Sequence, residues 1–325
     1  MPKVSVLIPT YNCAKYIGQA IQSVLDQTFE DFEIIVSDNA STDNTEEVVK
    51  SFKDSRIRYY KSNINVEMGN NWNRCLFLSR GRYIAILCSD DIWLPPFLEK
   101  TVEILDFHPD VGLVFTNHYL FSNNIEWVRR RLVSPGLHYH FTNIVISKNP
   151  ICISATLIRR ACFDDVGEFK SYYTADYDMW LRISKTRWGI YYIDSPLLKY
   201  RMHESNLAND RYRMSDYAIR VLESHKFEEE IEKSKSRVIA RLYIKRALAS
   251  NILYSPKEAL SDILRAIKIC KREAFFSFLF LLVEGFIPTS LNLRFRFQKA
   301  YHFLITEGFK ILLKLKQLKY RFFTH

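Results

Sequence analysis

The chain of 325 residues is 48% hydrophobic and 25% charged, a globular balance that excludes a disordered chain, collagen and a coiled coil. Its length suits one large domain or two modest ones. Six scattered cysteines without a CxxC pair disfavour a zinc knuckle or a disulfide framework and fit a reduced, cytoplasmic setting. The net charge of +10 is uneven, because residues 289–325 contain eight Lys or Arg and one Glu. A nearly neutral body with a basic tail differs from a uniformly basic nucleic-acid binder.

Strands and helices are predicted to alternate over the first 115 residues. Short runs rich in β-branched residues predict strands at 4–8, 32–36, 57–60, 83–87 and 111–115. Helical spacing of apolar residues predicts helices near 17–25, 72–79 and 95–108, and one that begins at residues 41–43. This alternation predicts an α/β fold with a mostly parallel sheet and helices on both faces.

The composition of the sequence changes near residue 207. Glycine becomes rare, Lys, Arg and Glu become frequent, and helical periodicity dominates. We therefore predict a first domain of residues 1–205 and an α-helical C-terminal region of residues 206–325.

Asp90 and Asp91 follow the apolar strand at 83–87. Two adjacent carboxylates at such a place are costly unless a positive group binds there, and hard cations such as Mg²⁺ or Mn²⁺ prefer oxygen ligands. The alternative is structural, because either residue is a good N-cap for the helix near Pro95. The pair therefore indicates a metal site or a helix cap.

Two other acidic residues each have a functional and a structural interpretation. Asp38 ends the second predicted strand, where its carboxylate can bind a nucleotide base or ribose, or form an Asx turn. Asp176 stands just before an amphipathic helix, the position of a general base at the mouth of a site or of a helix cap. Near the end of the first domain, Arg201 can pair with a phosphate and His203 can bind the metal, although a lone His is more often structural.

Together these segments resemble family 2 glycosyltransferases. The motifs, in the order of the family, are VSVLIPTYN at 4–12, DNASTD at 38–43, NWNR at 71–74, GRYI at 81–84, SDDIWLP at 89–95, DYDMWLR at 176–182 and YRMH at 200–203. The resemblance covers about residues 3–205. It implies the GT-A fold, a Rossmann-like sheet that binds a nucleotide-diphospho-sugar, and inversion at the anomeric carbon.

The resemblance also implies roles for single residues. The nucleotide-binding set is Pro9, Thr10, Tyr11, Asp38, Ser89, Asp90 and Arg201. The Mn²⁺ or Mg²⁺ ligands are Asp90, Asp91 and His203. Asp176 is the catalytic base that deprotonates the acceptor hydroxyl, and the metal and Arg201 stabilise the departing diphosphate. UDP is the expected nucleotide, and the segments around Asn117 and at 151–155 are expected to contribute to the choice of sugar.

The chain departs from the family pattern at three positions. Cys88 occupies the first acidic position of the DxD-type motif, Asn39 follows Asp38 where a second Asp is common, and Ala175 replaces the Glu that usually precedes Asp176. A QxxRW-type motif is absent from the sequence, so we expect a single-sugar transferase rather than a processive synthase.

The C-terminal region has a basic and aromatic composition. An apolar run at 274–283 ends before Pro288, too short for the ~20 residues of a membrane span. Beyond it, Lys and Arg interleave with Phe and Leu at helical spacing, which is typical of helices on an anionic membrane surface. The alternative is packing on the catalytic domain or on a second subunit, so a homo-oligomer stays open.

By analogy with membrane-surface members of the family, we expect a saccharide or polyprenyl-diphosphate-linked acceptor at the inner face of the cell membrane. Four other functions are weaker. A nucleotidyltransferase lacks support because no Gly-rich loop follows the first strand, and a dehydrogenase lacks the GxGxxG fingerprint. The remaining alternative is a catalytically inactive relative or a scaffold protein that binds through its basic tail. We expect no nucleic-acid partner.

Overall fold

A computed structural model describes residues 1–122, 125–129, 132–171, 173–249 and 256–274. Its strands are β1 (Val4–Thr10), β2 (Phe32–Asp38), β3 (Ile57–Lys61), β4 (Tyr83–Ile86), β5 (Ile92–Trp93), β6 (Val111–Ser122), β7 (Ile125–Val128), β8 (Gly136–His138), β9 (Thr156–Arg159) and β10 (Gly189–Arg201). Its α-helices are α1 (Ala14–Leu25), α2 (Thr45–Ser51), α3 (Met68–Leu78), α4 (Phe97–Phe107), α5 (Thr142–Lys148), α6 (Ala161–Val166), α7 (Ala175–Ser184), α8 (Arg211–Ser224), α9 (Glu229–Ala249) and α10 (Pro256–Ile269).

The strands form one mixed sheet in the order β3-β2-β1-β4-β9-β6-β10-β5, with β7 paired to β6 and β8 to β10. The first four strands in this order are parallel, as the β-α alternation predicts. The five predicted strands are all present. The second half differs, because β9 runs antiparallel to both β4 and β6. The sequence after residue 115 no longer alternates between strand and helix, and the sheet becomes mixed there, although β10 still runs parallel to β6.

The core lies between the sheet and its helices. Every residue of β2 is buried, and so is β1 except for a partly exposed Pro9. The apolar residues of α1 that face this core recur at three- and four-residue intervals, which is the spacing that predicted the helix. Helix α3 contacts β1 and β2, while α4 contacts β6 and β9. These contacts hold the carboxyl ends of β1, β2 and β4 at one edge of the sheet.

By its internal contacts the chain divides into two compact units, residues 1–235 and 236–325. The predicted division after residue 205 follows the last strand, and the first compact unit adds α8 and the beginning of α9. In the second unit, ion pairs Arg246–Asp262 and Arg241–Glu273 join the described helical segments. The predicted end of the first domain at residue 205 stays a prediction.

The predicted basic and aromatic segment from Arg294 to Phe322 lies outside the described residues, as does the apolar run after Ala274. Within the part of the chain that the structure describes, no helix is long and apolar enough to cross a membrane.

Candidate active site

The loops after β1 and β2 are held together at the carboxyl edge of the sheet. Thr10 and Asp38 are paired in register at the ends of these strands, and the Asn39 N–H donates to the Thr10 carbonyl over 2.9 Å. Asn12 adopts a positive φ of 48° and donates from its backbone N–H to the Ser41 hydroxyl over 2.8 Å. The two loops therefore form one surface, as expected from strand ends that share an edge.

Asp38 has the turn-forming role that the sequence analysis left open. Its side chain is fully buried, and its Oδ1 accepts from the Ser41 N–H over 2.7 Å. Its Oδ2 accepts from the Tyr59 hydroxyl over 2.7 Å. Because each carboxylate oxygen can accept a second hydrogen bond, a contact to a nucleotide stays a prediction. Beside Asp38, the buried hydroxyl of Thr10 has no partner among the described residues, whereas the Tyr11 side chain is half-exposed.

His203 and Asp90 meet in space although 113 positions separate them. The Nε2 atom of His203 lies 2.9 Å from Oδ2 of Asp90, and its Nδ1 lies 2.9 Å from the Ser205 hydroxyl. Both side chains are partly exposed. The structure therefore brings together two of the three predicted metal ligands.

Asp91, the third predicted ligand, is buried with a relative exposure of 1%. Its Oδ1 accepts from the Arg201 backbone N–H over 3.0 Å, while its Oδ2 has no partner among the described side and main chains. Burial, followed by the neighbouring charge of Asp90, raises the pKa of Asp91 to about 8. The helix-cap interpretation of Asp90 and Asp91 is wrong, because Pro96 occupies the N-cap of α4.

These carboxylates fit a cation. A buried carboxylate oxygen without a donor is costly, and a divalent ion would satisfy it. A thiol or carboxylate atom from each of Cys88, Asp90 and Asp91 lies within 4.8 Å of the others, so one ion can contact all three after small movements.

Arg201 is fixed at the same place by several contacts. Its Nε donates to the Asp90 carbonyl over 2.7 Å, and its terminal nitrogen donates to Gln19 over 2.6 Å. Its guanidinium lies 4.6 Å from the ring centre of Tyr16 and 4.5 Å from that of Phe121. These contacts orient a permanent positive charge beside the acidic pair.

Sequence reasoning missed Tyr16 and Gln19. Tyr16 contacts Arg201 and also stacks on His203, with ring centres 5.1 Å apart. The two residues are three positions apart on α1, so the same helix face reaches the site. Their spacing in the sequence indicates that both side chains lie on one face of α1. It does not show which residues this face contacts, because those contacts depend on where β10 ends.

Asp176 lies in the first turn of α7, after the N-cap residue Thr174. The predicted position just before the helix is therefore wrong by two residues. Its Oδ1 accepts from the adjacent Tyr177 N–H over 2.8 Å. The side chain is half-buried, and burial raises the pKa of Asp176 to about 6. A carboxylate with this pKa is mostly ionised at pH 7 and still accepts a proton readily.

Burial raises the pKa of the Cys152 thiol to about 12, and the charges of Asp91 and Asp176 add to this effect to a lesser degree. The predicted sugar-selecting segment at 151–155 contains this thiol as well as Ser154, whose hydroxyl accepts from the Cys88 N–H over 3.1 Å.

Residues 5–167 match the protein family described as glycosyl transferase family 2. The chain belongs to this family. It is 30% identical over 234 residues to an uncharacterized glycosyltransferase of Methanocaldococcus jannaschii. This match covers 69% of this chain and 79% of the relative. It is 29% identical over 214 residues to the Escherichia coli protein WfgD, covering 65% and 81%. WfgD is named a UDP-Glc:alpha-D-GlcNAc-diphosphoundecaprenol beta-1,3-glucosyltransferase.

Solved structures confirm the fold of this glycosyltransferase. S. aureus TarS 1-349 in complex with UDP-GlcNAc aligns with a TM-score of 0.63 and 18% identity over 83% of this chain and 82% of TarS. The mannosyltransferase PcManGT of Pyrobaculum calidifontis, in complex with GDP-Man and Mn²⁺, aligns with a TM-score of 0.59 and 16% identity over 97% and 84%. The predicted GT-A fold is therefore confirmed, and the protein is a glycosyltransferase with a nucleotide-sugar donor.

Proposed function

We propose that this enzyme transfers one sugar with inversion to an acceptor hydroxyl and that Asp176 is its general base. The observation that carries the proposal is the half-buried Asp176 carboxylate in the first turn of α7, with its pKa raised to about 6 by burial. A base must be ionised at working pH yet basic enough to take a proton, and this environment meets both requirements.

The donor is proposed to bind at the joined loops after β1, β2 and β4. Pro9, Thr10, Tyr11 and Asp38 would contact the base and ribose, and the unpartnered Thr10 hydroxyl supports this assignment. Ser89, Asp90 and Arg201 would face the diphosphate. UDP is proposed as the nucleotide, since TarS was solved with UDP-GlcNAc and WfgD is named for a UDP-Glc donor.

A divalent cation, Mn²⁺ or Mg²⁺, is proposed to bind at Asp90, Asp91 and His203. The orphaned Oδ2 of Asp91 and the contact between Asp90 and His203 support this ligand set. When bound, such an ion supplies Lewis-acid stabilisation of the diphosphate charge. PcManGT, a protein of the same fold, was solved with Mn²⁺.

In the proposed reaction, Asp176 accepts the proton of the acceptor hydroxyl. That oxygen forms a bond to the anomeric carbon as the bond to the nucleoside diphosphate breaks on the opposite face, so the configuration inverts. Arg201 is proposed to stabilise the charge that grows on the diphosphate, because its guanidinium is already oriented by Tyr16, Phe121 and Gln19.

The acceptor is proposed to be a saccharide linked to a polyprenyl diphosphate, as in the assembly of bacterial surface polysaccharides. The support is the similarity to WfgD, which is named for such an acceptor, alpha-D-GlcNAc-diphosphoundecaprenol. The basic residues at 289–325 are proposed to keep the enzyme at the anionic inner face of the cell membrane, where this acceptor would be found.

Release of nucleoside diphosphate tests the proposal. The purified full chain is incubated with UDP-, dTDP- and GDP-sugars, with Mn²⁺ or with EDTA, in the presence and absence of lipid-linked saccharides. We expect release from a UDP-sugar that EDTA abolishes. In Asp90→Ala, we expect Mn²⁺-dependent nucleotide binding to weaken, and unchanged Mn²⁺ dependence contradicts the metal assignment. Binding of UDP with Mn²⁺ but no turnover with any acceptor would favour an inactive relative.

A further inference from the structure

We propose that Cys88 is a thiolate ligand of the divalent cation and makes this site prefer thiophilic metals over Mg²⁺. This inference rests on the proposed metal site and adds a donor that the predicted ligand set omits. The predicted set contains two carboxylates and one imidazole. A thiolate would replace the carboxylate that is usual at the first position of the DxD-type motif.

The geometry brings the Cys88 sulfur to the acidic pair. Cys88 comes two residues after β4, and its backbone N–H donates to the buried Ser154 hydroxyl over 3.1 Å, which fixes the turn. Its sulfur and one oxygen each of Asp90 and Asp91 lie within 4.8 Å of one another. Zinc–sulfur bonds of ~2.3 Å and zinc–oxygen bonds of ~2.0–2.2 Å span most of such a separation.

Cys13, a second cysteine of the active-site edge, is engaged elsewhere. Its sulfur lies 3.5 Å from the Ser89 carbonyl, to which the thiol donates. Among the residues that the structure describes, Cys13 does not join the group of donor atoms around Asp90 and Asp91. Cys13 is therefore a matched control for a cysteine near the site that is not a ligand.

An independent observation points to a cation at this cluster. Asp91 is almost completely buried, and within the described part of the chain its Oδ2 accepts no hydrogen bond. A cation shared with the Cys88 sulfur would satisfy this oxygen and neutralise two adjacent carboxylates.

The chemistry of the donors sets the preference among metals. Mg²⁺ strongly prefers oxygen ligands, whereas thiolate and imidazole donors suit Zn²⁺ and related transition metals. Because a thiol binds a metal as the thiolate, the thiol proton of Cys88 would be released to solvent as the metal–sulfur bond forms.

Cobalt spectroscopy tests the ligand directly. The full chain is titrated with Co²⁺ alone, and the near-ultraviolet sulfur-to-cobalt charge-transfer band is followed while calorimetry counts bound ions. We expect one equivalent with the band in the wild type and in Cys13→Ser, and binding without the band in Cys88→Ser. Because loss of even an outer-shell partner costs ~10–100-fold in metal affinity, we expect Cys88→Ser to bind Zn²⁺ at least about tenfold more weakly.

The variant Cys88→Asp restores the carboxylate of the family pattern and guards against a merely structural effect. We expect its ratio of Zn²⁺ to Mg²⁺ affinity to fall at least about tenfold, a change that lower fold stability alone would not produce, because both metals are measured on the same variant. A band that persists in Cys88→Ser, or one equivalent of Co²⁺ bound by the wild type without a band, overturns the Cys88 proposal alone. Absence of Co²⁺ and Mn²⁺ binding by the wild type overturns the proposed metal site as well.

Discussion

The Asp176 carboxylate is half-buried, so its two candidate roles affect stability in opposite directions. A helix-capping Asp stabilises the fold, and its replacement lowers the melting temperature. A buried carboxylate with a raised pKa binds its proton more tightly in the folded state than in the unfolded chain. Its contribution to stability is therefore present at low pH and lost as pH rises from ~3.9 to about 6.

We expect Asp176→Asn to lower turnover by ~10²–10⁴-fold, the usual contribution of a general base, while the affinity for the donor stays unchanged. At pH 7.5 the same variant should melt at or above the wild-type temperature, because it removes a half-buried charge. Steady-state kinetics, donor titration and thermal melts measure the three quantities. Nearly unchanged turnover together with a lower melting temperature would identify Asp176 as a structural residue only.

The pH profile of the wild type provides a second prediction for this residue. Since the base must be ionised, kcat/KM should rise with pH and level off above about 6, the value to which burial raises the pKa of Asp176. Below that value the rate should fall by about tenfold for each pH unit. A profile of kcat/KM measured at acceptor concentrations well below KM checks this, with melting curves at each pH as the control. A flat profile between pH 5 and 8 contradicts the assignment.

Single residues of the site differ in how far the sequence could predict them. Asp90 and His203 follow strands that converge at one edge, so their meeting was predictable from the β-α pattern and the family motifs. The unpartnered Oδ2 atom of Asp91 was not predictable. The environment of this carboxylate depends on the position of the Arg201 N–H, which is 110 residues away in the sequence. The role of Tyr16 likewise depends on long-range packing.

Helix α7, which carries Asp176, is held by a buried polar group. Asp178 is 3% exposed and accepts hydrogen bonds from His225 over 2.9 Å and from Arg182 over 2.7 Å. Burial alone would raise the pKa of Asp178, but the His225 hydrogen bond and the Arg182 charge outweigh it and hold the pKa below its ordinary value. Arg182 also donates to the carbonyls of three residues at the end of α6, Val166, Gly167 and Glu168.

We expect Asp178→Asn to destabilise the fold by ~3–5 kcal/mol, because it leaves the buried Arg182 charge without its partner. The control is Glu229→Gln, which removes an exposed pair with Lys233 at the same spacing of four residues and should cost at most about 0.5 kcal/mol. Denaturant unfolding measures both. Because the pKa of Asp178 is lowered, the difference between wild type and variant should be present above pH ~3.9 and shrink as pH falls further. Equal effects of the two substitutions contradict the prediction.

The secondary structure was predictable where the spacing of apolar residues and the composition of a segment indicate the same element. The five predicted strands, which are β1, β2, β3, β4 and β6, are short runs rich in apolar and β-branched residues between polar turns, and α1 has a clear apolar face. Strand β9 is buried but contains only two adjacent apolar residues, Leu157 and Ile158, and β7 is exposed along its whole length, so neither gives the apolar run that predicts a core strand. Their pairing comes from neighbours on β4 and β6 rather than from local sequence.

At the scale of the whole molecule, charge is concentrated at one end of the sequence. Residues 289–325 contribute +7 of the total of +10, so the remaining residues are close to neutral. A lysine near an anionic membrane contributes about 1 kcal/mol, and phenylalanine and leucine at helical spacing add apolar burial. We therefore propose that this segment brings the enzyme to the surface at which a lipid-linked acceptor would lie.

We expect the full chain to sediment with vesicles that contain anionic phospholipid and not with neutral phosphatidylcholine vesicles, with binding that weakens as salt increases. Replacing Lys310, Lys314, Lys316 and Lys319 by Gln should reduce binding by ~10²–10³-fold, since four contributions of about 1 kcal/mol are lost. The matched control replaces four exposed lysines of the body, Lys50, Lys53, Lys100 and Lys233, by Gln. It removes the same charge and should leave vesicle binding within about twofold, because those side chains are distributed over the catalytic unit. Equal losses in the two variants would mean that net charge alone determines vesicle binding. Failure of the wild type to bind anionic vesicles contradicts the predicted membrane contact.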